Sequence, residues 1–345
     1  MIKVLELFAG AGSFSVALST LGIKHEIVGF SETRATAVEL FSRLHNKKPE
    51  ENLGDIHGVN AVGLDVDLVT FGSPCQSFSR SSNRADNHHK RGGKKGSGTK
   101  SSLMWEAVRI IGECKPKYLI WENVFDAVNS KHFDNFQEYM DELSDLGYNT
   151  YYKVLNAHEL GSAQKRKRLF SISIRKDIDN GKFEFLDLVK PPKLLEEYLE
   201  PIDSPNIELL PKSVTDILVV GKDEKGLRIK TGTKLGYLHG NNGDAVDTGY
   251  LTSKTRRGRV QKKACHTLMR SKTIATIQDD KLRYLTLLEY WRLQEMPDEL
   301  FKHVEDCNFS LNKAYDVVGG VINQLHLKTV FESLSKAFDW EKETS

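Results

Sequence analysis

Two residues in this chain are of types that could share one reaction. Cys75 lies in "GSPCQSFS" (72–79) and Glu122 in "WENV" (121–124). Most intracellular cysteines are small buried hydrophobes, but a cysteine behind a Gly-Ser-Pro turn at the end of the apolar run "DLVTF" is poorly placed for packing. "KYLIWEN" reads as the next buried strand, so Glu122 should emerge on the same carboxyl edge of the sheet as Cys75, the edge where open α/β sheets bind ligands. A thiol and a carboxyl there suit a nucleophile and an acid acting on one substrate. "AQKRKRLF" (163–170) adds Gln164, Arg166 and Arg168. Alternation in an extended segment would turn Arg166 and Arg168 to one side, towards an anion or towards Cys75.

A second constellation lies near the start. "LFAGAGSFS" sets Phe8, Gly10 and Gly12 at a strand-to-helix turn, where glycines let the backbone approach a ligand at a helix N-terminus. Glu32 follows 20 residues after Gly12, the separation at which a strand-end carboxylate can hold ribose hydroxyls. A dinucleotide fingerprint would continue to a third glycine, and Phe14 and Ser15 stand there instead. A nucleoside without a pyrophosphate, such as S-adenosylmethionine, suits this turn better than NAD. The competing reading of Glu32 is a solvated carboxylate at a strand end.

The elements that must position these groups are legible as strands alternating with amphipathic helices over the first 175 residues, which implies an α/β fold with a doubly wound, mostly parallel sheet. "KVLELFA", "HEIVGFS", "VDLVTFG", "KYLIWEN", "TYYKVLNA" and "RLFSISI" read as strands; "SFSVALSTLG" and "RATAVELFSRLH" read as helices. The stripe Phe133, Phe136, Met140 and Leu143 is the core face of another helix. Residues 176–265 turn rich in Lys, Asp, Gly and Pro and read as a separate, loop-rich and β-poor lobe with short strand-like runs such as "DILVV". Helical periodicity returns in "LTLLEYWRLQ", where Trp291 and Leu293 read as core, and in "INQLHLKTVFESLSKAF". The expected division is 1–175, 176–265 and 266–345.

Composition narrows the class. At 345 residues, 39% hydrophobic and 28% charged, the chain is an ordinary globular protein, with no run near the ~20 apolar residues that cross a bilayer. "MIKVLELFAG" runs straight into structure with no cleavable signal. Four scattered cysteines form no CxxC pair, which speaks against a disulfide framework and a metal site and for a reducing cytoplasm. The net charge of +2 conceals two basic runs. Arg80 to Lys100 carries seven cations, Arg80 and Arg84 among them, against Asp86 alone; Leu251 to Lys272 carries eight, including Arg256, Arg257 and Arg259, and no acid. Two such runs in otherwise balanced sequence suit a polyanion.

Taken in order, "FAGAGSFS", "GFSE", Asp55-Ile56, "GSPCQSFS", "WENV", "QKRKR", "LTLLEYWRLQEMPD" and "YDVVGGVIN" resemble the DNA cytosine-5 methyltransferases of bacterial and phage type over nearly the whole chain. The resemblance implies a class I, Rossmann-like methyltransferase fold with a smaller target-recognition domain, residues 176–265, inserted before the C-terminal helices. It implies S-adenosyl-L-methionine as methyl donor, S-adenosyl-L-homocysteine as product, and a cofactor site of Phe8, Gly10, Gly12, Glu32, Asp55, Ile56, Pro74 and Asn323. Cys75 would attack carbon 6 of a flipped cytosine, Glu122 would hold ring nitrogen 3, and Arg166, one of the paired arginines, would steady the adduct, with Arg168 also in the catalytic set. Gln76, Ser79, Arg80, Arg84, Gln164, Arg256, Arg257 and Arg259 would meet double-stranded DNA. The family also implies a cytoplasmic monomer, no membrane partner, and a restriction–modification or phage self-protection setting, in which any restriction endonuclease acts separately.

One element departs from the pattern. Where the family's terminal element carries Gly-Asn, this chain has Gly319-Gly320, leaving Asn323 to substitute from a shifted position or the cofactor pocket weaker. Two alternatives share the scaffold: a tRNA cytosine-5 methyltransferase, which would carry Cys-Phe-Thr where this chain has Cys265-His266-Thr267, and a non-catalytic DNA-binding protein, which would be expected to have lost Cys75, Glu122 or Arg166. An NAD oxidoreductase would leave Cys75 and Glu122 unexplained.

Overall fold

The computed structural model describes residues 1–74, 103–129 and 133–340. Cys75, Gln76, Ser79, Arg80 and Arg84, with the rest of the first basic run, lie outside the described residues. The chain divides into two compact units. The first is Met1–Leu155, Lys167–Asp187 and His326–Ser345; the second is Asn156–Arg166 and Leu188–Leu325.

Unit one is a six-stranded sheet with helices. Its elements run β1 (Ile2–Leu7), α1 (Ser13–Thr20), β2 (His25–Ser31), α2 (Ala35–His45), β3 (Leu68–Phe71), α3 (Met104–Cys114), β4 (Tyr118–Val124), α4 (Phe133–Asp145), β5 (Tyr148–Asn156) and β6 (Lys167–Arg175). The strand order is β2-β1-β3-β4-β6-β5, with β1 parallel to β2 and β3, and β3 parallel to β4. The order therefore reverses between β1 and β3, and their carboxyl ends frame the crevice where such folds take ligands. β3 is buried along its whole length, as parallel strands covered on both faces must be. β6 runs antiparallel to β4, which makes the sheet mixed and brings the first residues of β6 beside the last of β4, Arg168 opposite Val124.

The helices cover this sheet with apolar faces at helical spacing. α3 contributes Ala107, Ile110 and Ile111, and α4 contributes Phe136, Tyr139 and Leu143, to a core that includes Val69, Phe71, Leu119 and Trp121. Met140, expected in the α4 stripe, packs partly buried against it. The C-terminal helix returns to this unit, with Phe338 and Trp340 packing edge-on against Tyr118, each at 5.1 Å between ring centroids.

Unit two corrects the expected β-poor lobe. It holds α5 (Lys212–Leu218), a three-stranded sheet of β7 (Val219–Asp223), β8 (Gly226–Lys230) and β9 (Tyr237–Gly240), and a four-stranded sheet of β10 (Ala245–Asp247), β11 (Val260–Gln261), β12 (Ile274–Gln278) and β13 (Lys281–Tyr284). "DILVV" splits, with its first three residues ending α5 and its valines opening β7. Leu227, Ile229, Val246, Ala275, Ile277 and Leu282 form one core across both sheets. Three helices follow, α6 (Leu287–Leu293), α7 (Phe301–Asp306) and α8 (Leu311–Gly319), before α9 (Gln324–Phe338), which from His326 onward belongs to unit one. Trp291 and Leu293 are fully buried, as expected.

The boundaries also move. The first unit extends to Asp187 because Phe183 packs on Tyr151 and the Leu186 amide donates to Ser333 Oγ at 3.0 Å. Residues 266–325 belong to the second unit because β12, β13 and α6 are built into it; the fully buried pair of Arg283 and Glu289 joins β13 to α6 with contacts of 2.7 and 2.8 Å. Among the described residues, no helix is long and apolar enough to cross a membrane.

Candidate active site

The turn after β1 contains three left-handed residues, Phe8 (φ 51°), Gly10 (φ 57°) and Gly12 (φ 74°). Gly12 is the N-cap of α1. Two side chains from later in the chain hold this turn. Glu32, at the end of β2 and almost buried, accepts the Gly10 amide on one carboxylate oxygen at 2.9 Å. Its other oxygen accepts the amides of Thr33 and Arg34 at 3.0 and 2.9 Å. This carboxylate is a structural clasp, which the alternative of a merely solvated strand end does not describe. From the end of α2, His45 places Nε2 3.3 Å from the Ala11 carbonyl, and its ring fills the space a side chain on Gly12 would need, 2.0 Å from a Cβ built there. Gly10 differs: a Cβ there would have Arg34 Nη2 as nearest neighbour at 3.9 Å, so space over that residue is open.

Asn52 carries the geometry onward, a role that no sequence signal singled out. Its Oδ1 accepts the Glu32 amide at 3.0 Å and the Gly54 amide at 3.2 Å, and its Nδ2 donates to the Glu32 carbonyl at 2.9 Å. Asp55 follows, largely exposed, with Oδ1 accepting the His57 amide at 2.9 Å. That bond holds its carboxyl below the usual range. Ile56 is buried in the core with α3. An open glycine turn and a strand-end carboxylate acceptor, linked through Asn52 to the stretch that leads to Asp55, are groups of the types that fit the nucleoside part of S-adenosylmethionine.

At the carboxyl ends of β3 and β4 a second set converges. Ser73 is buried and fastened to β4 twice: Trp121 Nε1 donates to its Oγ at 3.0 Å, and Asn123 Nδ2 donates to its Oγ at 3.2 Å and its carbonyl at 3.3 Å. Half-buried Pro74 comes next, and Cys75 follows it in sequence. A Cβ on Gly72 would lie 3.4 Å from Glu122 Oε2, so the turn that leads to Cys75 runs alongside Glu122. Glu122 Oε1 pairs with Arg168 Nε at 2.9 Å, and the two side chains are only 12% and 15% exposed. Arg168 reaches it diagonally across the antiparallel ladder, since Val124 stands opposite Arg168 and Phe170 opposite Glu122.

Arg166, expected to share the role of Arg168, belongs to the second unit, where it is buried and donates to the Leu268 carbonyl at 3.4 Å. Gln164 is corrected more sharply. It is fully buried, its amide nitrogen donates to the Leu293 carbonyl at 2.8 Å and Gln294 Oε1 at 3.2 Å, and its oxygen accepts the Leu268 amide at 3.2 Å. A side chain so used ties three chain segments together and has no surface for DNA. Asn323 is likewise buried, donating to the Leu293 carbonyl at 3.0 Å and accepting the Leu325 amide at 3.1 Å. It works as a local brace.

The second basic run is less free than its sequence suggests. Arg259 is held by Asp247, whose carboxylate is 5% exposed, and lies over the Tyr250 ring. Lys262 pairs with Asp244, Lys263 with Glu196, Arg270 with Asp316 and Lys272 with Glu208. The acids missing from the run arrive from elsewhere in the fold. Arg256 stacks over Tyr250 at 4.8 Å, and among the described residues neither it nor Arg257 is paired with a carboxylate.

The sequence profile of the C-5 cytosine-specific DNA methylase matches residues 2–336. The chain belongs to that family. Its relatives include the type II methyltransferase M2.ScrFI of Lactococcus lactis subsp. cremoris, 32% identical over 50% of this chain and 61% of that one. The orphan methyltransferase M.SPRI of Bacillus phage SPR is 33% identical over 51% of this chain and 38% of its own. The type II methyltransferase M.HhaI of Haemophilus parahaemolyticus is 30% identical over 65% and 61%. The matched regions thus span less than two thirds of these relatives. Among solved structures, the Dnmt2 methyltransferase of S. pombe aligns over 97% of this chain and 99% of its own with a TM-score of 0.66 at 20% identity, a likeness of fold.

Within this methylase family chain, sequence reasoning singles out Glu32 and Glu122, which hold the turn after β1 and pair with Arg168 respectively. It missed Ser73, Asn52 and His45. Ser73 carried a usable signal, its place between the glycine and proline of the turn; Asn52 and His45 carried none, because their partners lie 20 and 34 residues away. Among the described residues, no cluster of His, Cys, Asp and Glu could hold a metal ion.

Proposed function

We propose that this chain is a DNA cytosine-5 methyltransferase. The observation that carries the reading is the Glu122–Arg168 pair beside the Ser73 anchor that leads to Cys75. A base stacked in a duplex cannot reach such an edge, so the target cytosine flips out at a cost of a few kcal/mol. The Cys75 thiolate adds to carbon 6, and the ring's electron pair moves to carbon 5 as Glu122 shares a proton with ring nitrogen 3. Arg168 holds the Glu122 carboxylate in place; Arg166 is assigned to steady the adduct. S-adenosyl-L-methionine, when bound, supplies the methyl to carbon 5 and leaves as S-adenosyl-L-homocysteine. Loss of the carbon 5 proton then expels the thiolate and restores Cys75.

The turn of Phe8, Gly10 and Gly12 with Glu32, Asp55, Ile56 and Pro74 holds the cofactor in this reading, Glu32 offering its remaining lone pairs to ribose hydroxyls. Double-stranded DNA is the substrate; Gln76, Ser79, Arg80, Arg84, Arg256 and Arg257 meet it, and the small sheets of unit two carry target recognition. The setting is restriction–modification or phage self-protection, and the protein acts as a cytoplasmic monomer.

The test is a trap. The protein is incubated with S-adenosyl-L-methionine and duplex DNA containing 5-fluorocytosine, with a matched tRNA arm, and run on a denaturing gel. Fluorine cannot leave carbon 5 as a proton does, so a cofactor-dependent shifted band with DNA, absent in Cys75→Ala, is expected. A band only with tRNA would move the activity to RNA, and no band in either arm would overturn the mechanism.

A further inference from the structure

The backbone that carries Asp55 and Ile56 is held by a side chain from a different element. Arg109, on α3, donates from Nη2 to the carbonyls of Ile56 and Val59 at 3.1 and 3.0 Å. Its Nε donates to Glu106 at 2.9 Å and its Nη1 to Glu113 at 2.6 Å. The second oxygen of Glu113 accepts the Ala61 amide at 2.9 Å, so the ion pair closes on the same stretch of chain. That amide, with Arg109 beside it, holds the Glu113 carboxyl below its ordinary range. Ile56, Val59 and Ala61 meanwhile bury their side chains in the core with Ala107, Ile110 and Ile111 of α3.

We infer that Arg109 is a positioning residue for the cofactor: its planar fork sets the Asp55–Ile56 turn against S-adenosylmethionine without touching it. The inference rests on the reading that this turn contacts the cofactor. Only a guanidinium presents several donors in one rigid plane; a lysine ammonium has three donors on one nitrogen and could not reach two carbonyls and two separate carboxylates at once in this spread. Apolar packing alone would fix Ile56 in the core but leave the direction of its peptide groups open. Arg109 supplies that direction. The carbonyls of Ile56 and Val59 are drawn towards α3, which orients the intervening turn as one piece. The Glu122–Arg168 pair lies on other elements and makes no use of it.

The test measures binding apart from turnover. S-adenosyl-L-homocysteine is titrated by calorimetry into the wild-type protein, Arg109→Lys and Arg109→Met, and thermal unfolding is followed for each with and without it. About a tenfold weaker Kd in Arg109→Lys, and more in Arg109→Met, is expected. The KM for S-adenosyl-L-methionine should rise in step while kcat at saturation stays within about twofold. Unchanged Kd with a lowered Tm would make Arg109 a brace of the fold only and would overturn the inference. Should Arg109→Met not fold, Glu113→Gln keeps an acceptor for Ala61 while weakening the hold on Arg109, and an unchanged Kd there would count against the inference equally. A wild-type protein that binds no S-adenosyl-L-homocysteine would overturn the cofactor reading itself, whereas equal binding by wild type and variants would overturn the role of Arg109 alone.

Discussion

The guanidinium of Arg168 and the carboxylate of Glu122 meet at 2.9 Å across two antiparallel strands, with little solvent on either. Breaking so enclosed a pair by removing one partner strands the other charge. Arg168→Ala should therefore lower the single-turnover methylation rate by about a hundredfold or more and cost about 2–3 kcal/mol of stability. Glu122→Gln should lose rate similarly with less loss of stability, since it leaves an uncharged amide. Stopped-flow quench kinetics and urea unfolding on both single variants and the double variant would measure the coupling; additive effects would mean that the two groups act independently.

Glu6 gives a pH dependence. It is fully buried on β1, accepts the Ser15 amide at 3.1 Å and the Ser15 hydroxyl, and burial pushes its carboxyl up to about 7 despite those bonds. A folded value raised above the unfolded one means that the folded state keeps the proton longer. Stability from this group is whole below about pH 4.5 and is lost as pH rises through about 7. Glu6→Gln should flatten that slope and unfold later than the wild type at pH 8, by up to about 3 kcal/mol. Parallel urea titrations from pH 5 to 8.5 would reveal it, and equal slopes would show that Glu6 does not carry the dependence.

The two glycines that replace the family's Gly-Asn are unequal. A Cβ on Gly319 would sit 2.2 Å from the Met269 carbonyl oxygen, whereas one on Gly320, the C-cap of α8, would come no closer than 3.3 Å to any atom. Gly319→Ala should cost about 2–3 kcal/mol as backbone is forced apart. Gly320→Asn should cost less than about 1 kcal/mol and preserve or tighten S-adenosyl-L-methionine affinity by calorimetry. A large loss of affinity would show that Gly320 itself is needed.

Arg256 and Arg259, three residues apart, should fail differently. Arg259→Ala leaves the Asp247 carboxylate buried without its cation and should lower Tm. Arg256→Ala should leave Tm within about 1–2 °C but weaken duplex DNA binding and reduce the slope of log affinity against log salt by about one. Fluorescence anisotropy over a salt series would separate them, and an unchanged slope for Arg256→Ala would remove it from the DNA contacts.

The parts read correctly from sequence are those written in local pattern. β1 to β4 and their helices follow from buried runs alternating with 3.6-residue stripes, and the place of Glu122 near a carboxyl edge follows from its position close to the end of such a run. The small sheets of unit two were illegible because their strands are two to five residues long and interrupted by Gly, Lys and Asp, too short for alternation to register. Gln164 and Arg259 have partners hidden from the sequence for a different reason. Their types and neighbours suit nucleic acid, but the groups that claim them, Leu268, Leu293 and Asp247, lie many residues away or in another strand. Arg166 and Arg168 looked equivalent by alternation, yet the strand begins only at Lys167, so Arg166 falls outside the ladder that aims Arg168.

The turn after β1 holds three left-handed residues but only two glycines, because Phe8 adopts φ 51° with a full side chain packed partly buried against the core. That conformation costs a non-glycine residue roughly 1–2 kcal/mol, so the fold maintains it against the local preference of the chain. A fingerprint that recognises such loops by counting glycines will undercount this one, and will rank it among incomplete sites. A search by backbone torsion would retrieve it whole. The alphabet of this motif is written in dihedral angles, and one of its letters is spelled with an aromatic ring.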